Sequence, residues 1–366
     1  FSAASSFSKI LKIEIQLGRT GALTPVAKVE PVNIGGVVVS NATLHNEDEI
    51  NKKDIRIGDI VKIERAGDVI PHVVSVDIKK RSPKTEKYKF PNKCPSCGSL
   101  VEKEFNKQTK KYDAVKRCSS EGYKCEKIVI EKIKHFVSKD ALNIDGLGKK
   151  VVEKFWEKGF LRFPQDIFKL DYKKIENLEG WGSQSVSNLK YSIEKSKDIS
   201  FNKFIFALGI RHIGQENAKL IAKHLQKKEK FINIDKNFDF NSFINIDGIG
   251  EIQISSIKKF FSIKENLTVV KELSFYLNIK NEVINNSGKL KNLSFMITGK
   301  LQSISRAEIK SIIEKNSGKI LSSVSKKLDY LIVGDKPTTK KVNQAKELDV
   351  KLLNQNELDK LLNWVE

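Results

Sequence analysis

Ile144-Asp-Gly-Leu-Gly148, Leu178-Glu-Gly-Trp-Gly182, Ile210-Arg-His-Ile-Gly214 and Ile246-Asp-Gly-Ile-Gly250 write one phrase four times: an apolar residue, two others, an apolar residue and a glycine. Helix-forming sequence follows each copy. The closing glycines are 34, 32 and 36 residues apart, the period of a tandem array whose unit is two helices joined by a tight hairpin. Such a unit can hold an anion. Glycine lets the backbone turn sharply and approach a ligand, and the second helix aims its unpaired N–H groups and positive dipole end at the same point. In a chain of net charge +21 the expected anion is a nucleic-acid backbone. The candidate contacts are Gly146, Gly148, Lys149, Gly180, Gly182, Arg211 and Gly214. The copies differ: His212 replaces glycine in the third, and Glu251 follows the closing glycine of the fourth, where Lys149 and Ser183 follow the first two. The first two hairpins are therefore the expected phosphate holders and the fourth mainly a packing unit. The plainer alternative is a helical bundle whose glycines only end helices.

Working outward, 366 residues with 39% hydrophobic content leave room for two to four domains with their own cores. No run of eighteen apolar residues exists, so no membrane partner is expected. The opening Phe1-Ser-Ala-Ala-Ser-Ser-Phe-Ser-Lys9 has no signal-peptide pattern. Met296 is the only methionine, so the reading frame is expected to start upstream and the chain to be the C-terminal part of something longer. Charge is uneven. Residues 1–78 hold nine Lys and Arg against ten Asp and Glu, whereas 79–130 hold fifteen against six. The first segment is not a general cationic surface. A lysine run reads equally as a solvated face or a phosphate contact; the eight arginines say more, because lysine cannot replace a planar bidentate fork.

Residues 1–78 read as short strands with glycine turns: Ile13, Ile15 and Leu17 alternate with polar neighbours, Gly35-Gly36 precedes Val37-Val-Val39, and Ile60–Ile63 and Val73–Ile78 follow turn signals. With a short charged helix near Asn46–Asn51, this suits a five-stranded OB-like barrel. Residues 79–93 read as a lysine-rich linker into a cysteine segment that extends to 130. Apolar residues from 131 to 275 recur at helical spacing, predicting an almost wholly α-helical stretch. From 286 to 366, Leu293–Thr298 and Tyr330–Val333 read as buried parallel strands and 306–316, 340–348 and 357–364 as helices, a small α/β domain. The fold class is thus multidomain: an all-β barrel, a small metal ribbon, an all-α hairpin domain and an α/β domain.

All four cysteines lie in Cys94-Pro-Ser-Cys97-Gly and Arg117-Cys118-Ser-Ser-Glu-Gly-Tyr-Lys-Cys125. Two intervening residues let Cys94 and Cys97 face one tetrahedral ion, and Cys118 and Cys125 complete the shell, predicting structural Zn2+ with no open position for catalysis. Two disulfides are the alternative, disfavoured by the absence of a secretory signal. Catalytic constellations are sparse. His45, His72, His135, His212 and His224 have no metal spacing and read as surface or packing residues. Neither a phosphate-binding glycine loop of the nucleotide-hydrolase kind, nor a Ser/His/Asp set, nor a two-metal acidic cluster is visible. No catalytic residue is assigned.

Three further stretches carry a resemblance. Gly18-Arg-Thr-Gly-Ala-Leu-Thr-Pro-Val-Ala-Lys-Val-Glu-Pro-Val32, Val39-Ser-Asn-Ala-Thr-Leu-His-Asn46 and Arg65-Ala-Gly-Asp-Val-Ile-Pro71 resemble the OB-domain signatures of bacterial NAD-dependent DNA ligases. The succeeding order of four-cysteine module, four helix-hairpin-helix units and a BRCT-like domain resembles the C-terminal half of those enzymes over the whole chain. In the BRCT-like segment, Ser317-Gly318 stands where paired glycines are usual and Pro337-Thr-Thr-Lys-Lys341 where a Gly-Ser-Lys run is usual, which puts phosphate binding by that loop in doubt but not the fold. Phe1-Ser2 resembles the end of the last nucleotidyltransferase motif.

The resemblance implies that Arg19 and Thr20, and Arg65, Val69 and Ile70, contact DNA near a nick. The arginines would hold phosphates by charge-assisted bonds, and the two aliphatics would press on the minor groove; alternatively Arg19 flanks a turn and Val69 and Ile70 are core strand residues. It further implies nick sealing in replication and repair. The full-length enzyme would use NAD+ and Mg2+ (or Mn2+), bound mainly in a nucleotidyltransferase half that carries the adenylated lysine, so that this chain alone could not self-adenylate. The expected partner is nicked double-stranded DNA, the expected state a monomer in the bacterial cytoplasm near the nucleoid, and the BRCT-like domain's partner is open. The alternative is a free-standing DNA-binding scaffold with no catalytic half.

Overall fold

A computed structural model of the chain describes residues 4–363 other than 66–69, 107–108, 236, 283–287, 289, 302–303 and 322, and does not describe the side chains of 307, 355, 359, 362 and 363. Val69 and the Asn285–Ser287 linker lie outside the described residues.

The first unit is a closed barrel of β1 (Ala4–Leu17), β2 (Leu23–Ile34), β3 (Val37–Thr43), β4 (Ile60–Arg65) and β5 (His72–Val76), in the order β1-β2-β3-β5-β4. Period-two alternation sends Ile10, Leu23, Ala27, Val39, Val61, Ile63 and Val73 inward, all buried. The pairing of β1 with β2 shifts register between Ile10 and Lys12, and such a bulge adds the bend that lets one long strand serve two sides of a small barrel. Helix α1 (Glu47–Lys53) joins β3 to β4. Asn46 caps it by accepting the Glu49 N–H at 2.9 Å, acidic residues fill its first turn and lysines its last, and Ile50 seals the barrel.

The linker is tied to the barrel. Arg81 reaches back to Asp59, which is fully buried, at 2.8 Å, and shares Asp54 with Arg56. The hairpin of β6 (Val101–Asn106) and β7 (Lys111–Cys118) follows as a small ribbon. Phe90, Cys94, Val101, Cys118, Cys125 and Ile128 belong to the same apolar cluster as the barrel interior. Barrel and ribbon are therefore one packed body, although sequence assigns them to separate segments.

The helical unit runs through α2 (Glu126–Phe136), α3 (Lys149–Glu157), α4 (Tyr172–Glu176), α5 (Ser183–Ser196), α6 (Phe201–Ala207), α7 (Gln215–Leu225), α8 (Lys228–Ile232), α9 (Glu251–Ser262) and α10 (Lys264–Tyr276). One large core joins them, with Phe136, Phe155, Phe201, Phe204, Phe231 and Phe243 almost wholly enclosed; truncating such a residue to alanine costs about 3–5 kcal/mol. The stretch is not purely helical. β8 (Asp198–Ser200) pairs in parallel with β9 (Asn278–Lys280), and Asn278 N–H donates to Lys197 O at 2.8 Å. Three-residue strands so far apart in sequence leave no periodic signal.

The last unit is a parallel sheet in the order β11-β10-β12-β13: β10 (Ser294–Thr298), β11 (Lys319–Ile320), β12 (Tyr330–Val333) and β13 (Lys351–Leu353). Helices α11 (Arg306–Lys315) and α13 (Gln355–Asn363) contribute Ile309, Ile313 and Leu358 to one apolar cluster, and α12 (Thr339–Glu347) contributes Ala345 to another. Charges join this unit to α7: Lys219 and Lys223 lie 3.0 and 3.4 Å from Glu314, and Lys310 lies 3.4 Å from Glu216.

Candidate nucleic-acid interface and four-cysteine site

The four phrases fold alike. In each, the carbonyl of the first residue accepts the N–H of the fourth: Leu147 to Ile144 at 3.3 Å, Trp181 to Leu178 at 3.0 Å, Ile213 to Ile210 at 3.1 Å and Ile249 to Ile246 at 3.0 Å. The same two residues are the apolar anchors that plug the turn into the core. The third residue takes positive φ each time, +90° at Gly146, +81° at Gly180, +62° at His212 and +90° at Gly248. His212 therefore preserves the turn at the energetic disadvantage of a left-handed backbone, and Asn217 Nδ2 braces it by donating to His212 O at 2.9 Å.

The closing glycine is the N-cap of the following helix in every copy. At Gly148, Gly182 and Gly214 φ is negative and a Cβ would meet nothing within 4 Å, so neither backbone strain nor packing calls for glycine. What the missing side chain leaves is bare backbone facing open space. The copies differ in whether their own side chains use that backbone. Gly182 N–H donates to Ser185 Oγ at 2.9 Å and Gly250 N–H to Gln253 Oε1 at 3.1 Å. Among the described residues the N–H groups of Gly148 and Gly214 have no acceptor. Ranked by free donors, the first and third hairpins lead, whereas the residue after the glycine ranked the first and second. The signal was in the sequence three positions further on, where Ser185 and Gln253 can reach back and Val151 and Asn217 do not.

Lys149, on the first turn of α3, is exposed. Arg211 is turned toward the ribbon, pairing with Glu104 and lying 3.6 Å from Asp113. Arg19 is exposed in the β1–β2 turn and has no ion pair among the described residues; its Cδ lies 3.7 Å from where a Cβ would stand at Gly209, beside the third hairpin. Thr20 Oγ1 accepts from Arg117 Nη1 at 3.1 Å. Arg65 is half-buried at the end of β4, opposite Ala4. Ile70 is 71% exposed, so it is not a core strand residue. The structure thus brings Arg19, Thr20, Arg211 and the third hairpin to one junction, and Arg117, which sequence reasoning missed, lies at its centre. The histidines are packing or surface groups: His135 Nε2 is 2.8 Å from Phe206 O, and its burial lowers its pKa.

Cys94 opens a tight turn in which Gly98 N–H returns to Cys94 O at 2.9 Å with Gly98 at φ +73°. Cys118 ends β7 and Cys125 is the N-cap of α2. The four Sγ atoms lie within 4.8 Å of one another, with Cys94–Cys125 at 3.9 Å and Cys97–Cys118 at 3.5 Å. Disulfides need about 2.05 Å, whereas a tetrahedron with metal–sulfur arms of about 2.3 Å has edges of about 3.8 Å. The set fits a metal ion. Burial opposes ionisation of Cys97, but hydrogen bonding with Ser99 and the neighbouring thiols outweighs it and holds the thiol at about 6, while burial pushes Cys118 up. No helix among the described residues is long and apolar enough to cross a membrane.

Comparison with known proteins bears on the same residues. Residues 7–86 match the family model of the NAD-dependent DNA ligase OB-fold domain, 203–270 that of the helix-hairpin-helix motif and 285–362 that of the BRCA1 C Terminus (BRCT) domain. The chain is 65% identical over 364 residues to a DNA ligase of Pelagibacter ubique (strain HTCC1062), covering 99% of this chain and 54% of that protein. It is 43% identical over 370 residues to a DNA ligase of Rickettsia bellii (strain OSU 85-389), covering 98% and 52%, and 43% identical over 370 residues to one of Wolbachia pipientis wMel, covering 99% and 55%. The chain spans about half the length of the curated relatives it matches. With its barrel, four-cysteine cluster, glycine hairpins and parallel-sheet domain in this order, it belongs to the NAD-dependent DNA ligase family and corresponds to the C-terminal portion of its members.

Proposed function

We propose that this chain is the DNA-clamping portion of an NAD-dependent ligase, gripping duplex on both sides of a nick without reading its sequence. The observation that carries the reading is the repeated closing glycine, which neither φ nor packing requires, at a helix N-terminus open to a phosphate. Arg19, Thr20, Arg65 and Ile70 add contacts from the barrel, and Gly146, Gly148, Lys149, Gly180, Gly182, Arg211 and Gly214 from the helical unit. The ion at Cys94, Cys97, Cys118 and Cys125 is Zn2+, held structurally because four thiolates fill its shell. The nick-sealing reaction, with NAD+ and Mg2+ as its cofactors, belongs to the full-length enzyme, and this chain alone does not self-adenylate. It acts as a monomer in the bacterial cytoplasm.

The test is binding of a 5′-phosphorylated nicked duplex at several salt concentrations. A contact set of several phosphates makes log K fall with log salt at about −0.9 per phosphate neutralised. A flat salt response, or equal affinity for an uncharged polymer, would overturn the clamp. AMP retained on the polypeptide after incubation with NAD+ would overturn the statement that it cannot self-adenylate.

A further inference from the structure

Besides the ion pairs of Lys103 with Asp48 and Lys116 with Glu47, the ribbon reaches the barrel through Arg117 of β7. Arg117 donates from Nη1 to Thr20 Oγ1 at 3.1 Å and from Nη2 to Asp113 Oδ2 at 3.2 Å. The backbone beside it is bridged to the same turn: Ala22 pairs with Arg117 in an antiparallel bridge, and Cys118 N–H donates to Gly21 O at 2.9 Å. Asp113 also faces Arg211, whose other partner is Glu104. One carboxylate thus stands between two guanidiniums, and through it the barrel turn is joined to the turn of the third hairpin.

Among the described residues the backbone bonds within the barrel turn are Gly18 N–H to Ala22 O at 3.0 Å and Gly21 N–H to Gly18 O at 2.9 Å. Arg19 projects from it, exposed and without an ion pair among the described residues. Arg117 is its opposite. Its side chain is 16% exposed and its Nε is buried without an acceptor, so the guanidinium is turned into the junction rather than toward solvent. A planar fork can satisfy two acceptors in fixed directions, which an ammonium does less well. Binding costs the ordering of any loose contact loop, so a turn fixed beforehand binds more tightly.

We propose that Arg117 is a positioning residue for DNA binding: by gripping Thr20 and Asp113 together it fixes the 18–22 turn, so that Arg19 and the third hairpin meet one DNA backbone in register, without touching DNA itself. This rests on the reading of Arg19 as a DNA contact.

The experiment uses the whole chain, with Arg19→Ala, Arg117→Met, their combination, Arg117→Lys, and Asp113→Asn, which loosens the grip without altering a neighbour of Cys118. Metal content is measured on each. Amide hydrogen exchange at Gly21 and Ala22 is read without DNA, and affinity for a 5′-phosphorylated nicked duplex is read against salt. Arg117→Met is expected to speed exchange in the turn and to weaken binding by about as much as Arg19→Ala, roughly tenfold, each lowering the salt slope by about one. The combination should be no more than about twofold worse than either alone, Arg117→Lys should recover part of the loss, and Asp113→Asn should follow Arg117→Met in direction. Unchanged exchange in Arg117→Met overturns the proposal. So do multiplied losses in the combination, which would make Arg117 a DNA contact in its own right. Faster exchange with a silent Arg19→Ala would instead sink the DNA reading of Arg19 and reduce Arg117 to a brace, which also overturns the proposal.

Discussion

Ser185 Oγ receives the Gly182 N–H at 2.9 Å and donates back to the Gly182 carbonyl at 2.8 Å, so the second hairpin satisfies internally the amide that the first and third leave open. Ser185→Ala is expected to destabilise α5 by about 0.5–1 kcal/mol while leaving DNA affinity unchanged or slightly higher, since a donor is released. Thermal unfolding and duplex titration on the same samples check this. A large loss of affinity would mean that Ser185 itself meets the backbone of the ligand.

Gly148→Ser and Gly214→Ser separate folding from binding. Serine is a preferred N-cap, so each helix should be unharmed or gain a few tenths of a kcal/mol. The new hydroxyl would occupy the helix amides, and duplex affinity should fall several-fold at each site. The same change at Gly182 should do less. Equal effects at all three positions would contradict the ranking by open amides.

His212→Gly should stabilise the helical unit. The left-handed conformation disfavours a side chain by about 1–2 kcal/mol, partly offset by the chain entropy of glycine, about 0.5–1 kcal/mol. The expected net is a gain of up to about 1.5 kcal/mol in urea unfolding followed by far-UV circular dichroism. A loss would show that the His212 ring makes a contact worth more than the strain.

Hydrogen bonds from Arg56 and then Arg81 hold the Asp54 carboxyl at about 2, below its ordinary 3.8. A lowered folded-state value means that the stabilisation is full above the unfolded value and is lost as pH falls from about 3.8 toward 2. Asp54→Asn should therefore lower the unfolding temperature at pH 6, and the gap from the parent should close on acidification through that window. A gap independent of pH would assign Asp54 a packing role.

Removing the metal should be felt beyond the ribbon. Because Cys94, Cys118 and Cys125 share an apolar cluster with the barrel core, chelation or Cys97→Ser is expected to open residues 79–130 to protease and to cost several kcal/mol. One metal per chain is expected by elemental analysis. Full protection after complete metal loss would show that the barrel holds the ribbon unaided.

The hairpins and the cysteines were legible because both depend on spacing along a short stretch: Ile144, Leu147 and Gly148 act within one turn, and Cys94 and Cys97 within another. The strands of the ribbon were not, since Lys103, Glu104, Lys110 and Lys111 blur the alternation that would mark β6 and β7. Arg211 was legible as a cation at a hairpin tip, but its partners Glu104 and Asp113 lie about a hundred residues earlier, and no local pattern foretells them. Arg117 was passed over because the cysteine beside it absorbed the reading. Ile70 needed coordinates, since an apolar residue in a strand-rich segment looks the same whether it points in or out.

The pairing of Asp198–Ser200 with Asn278–Lys280 makes residues 201–277 a closed circuit: the chain enters and leaves the last two hairpins side by side. Because those two hairpins share one apolar core with the first two, the clasp closes the circuit inside a single packed unit rather than at a hinge. With Phe168 stacked on Tyr276 and Lys169 3.2 Å from Glu272, the end of that circuit is fastened to the first half of the helical unit as well as to its own beginning.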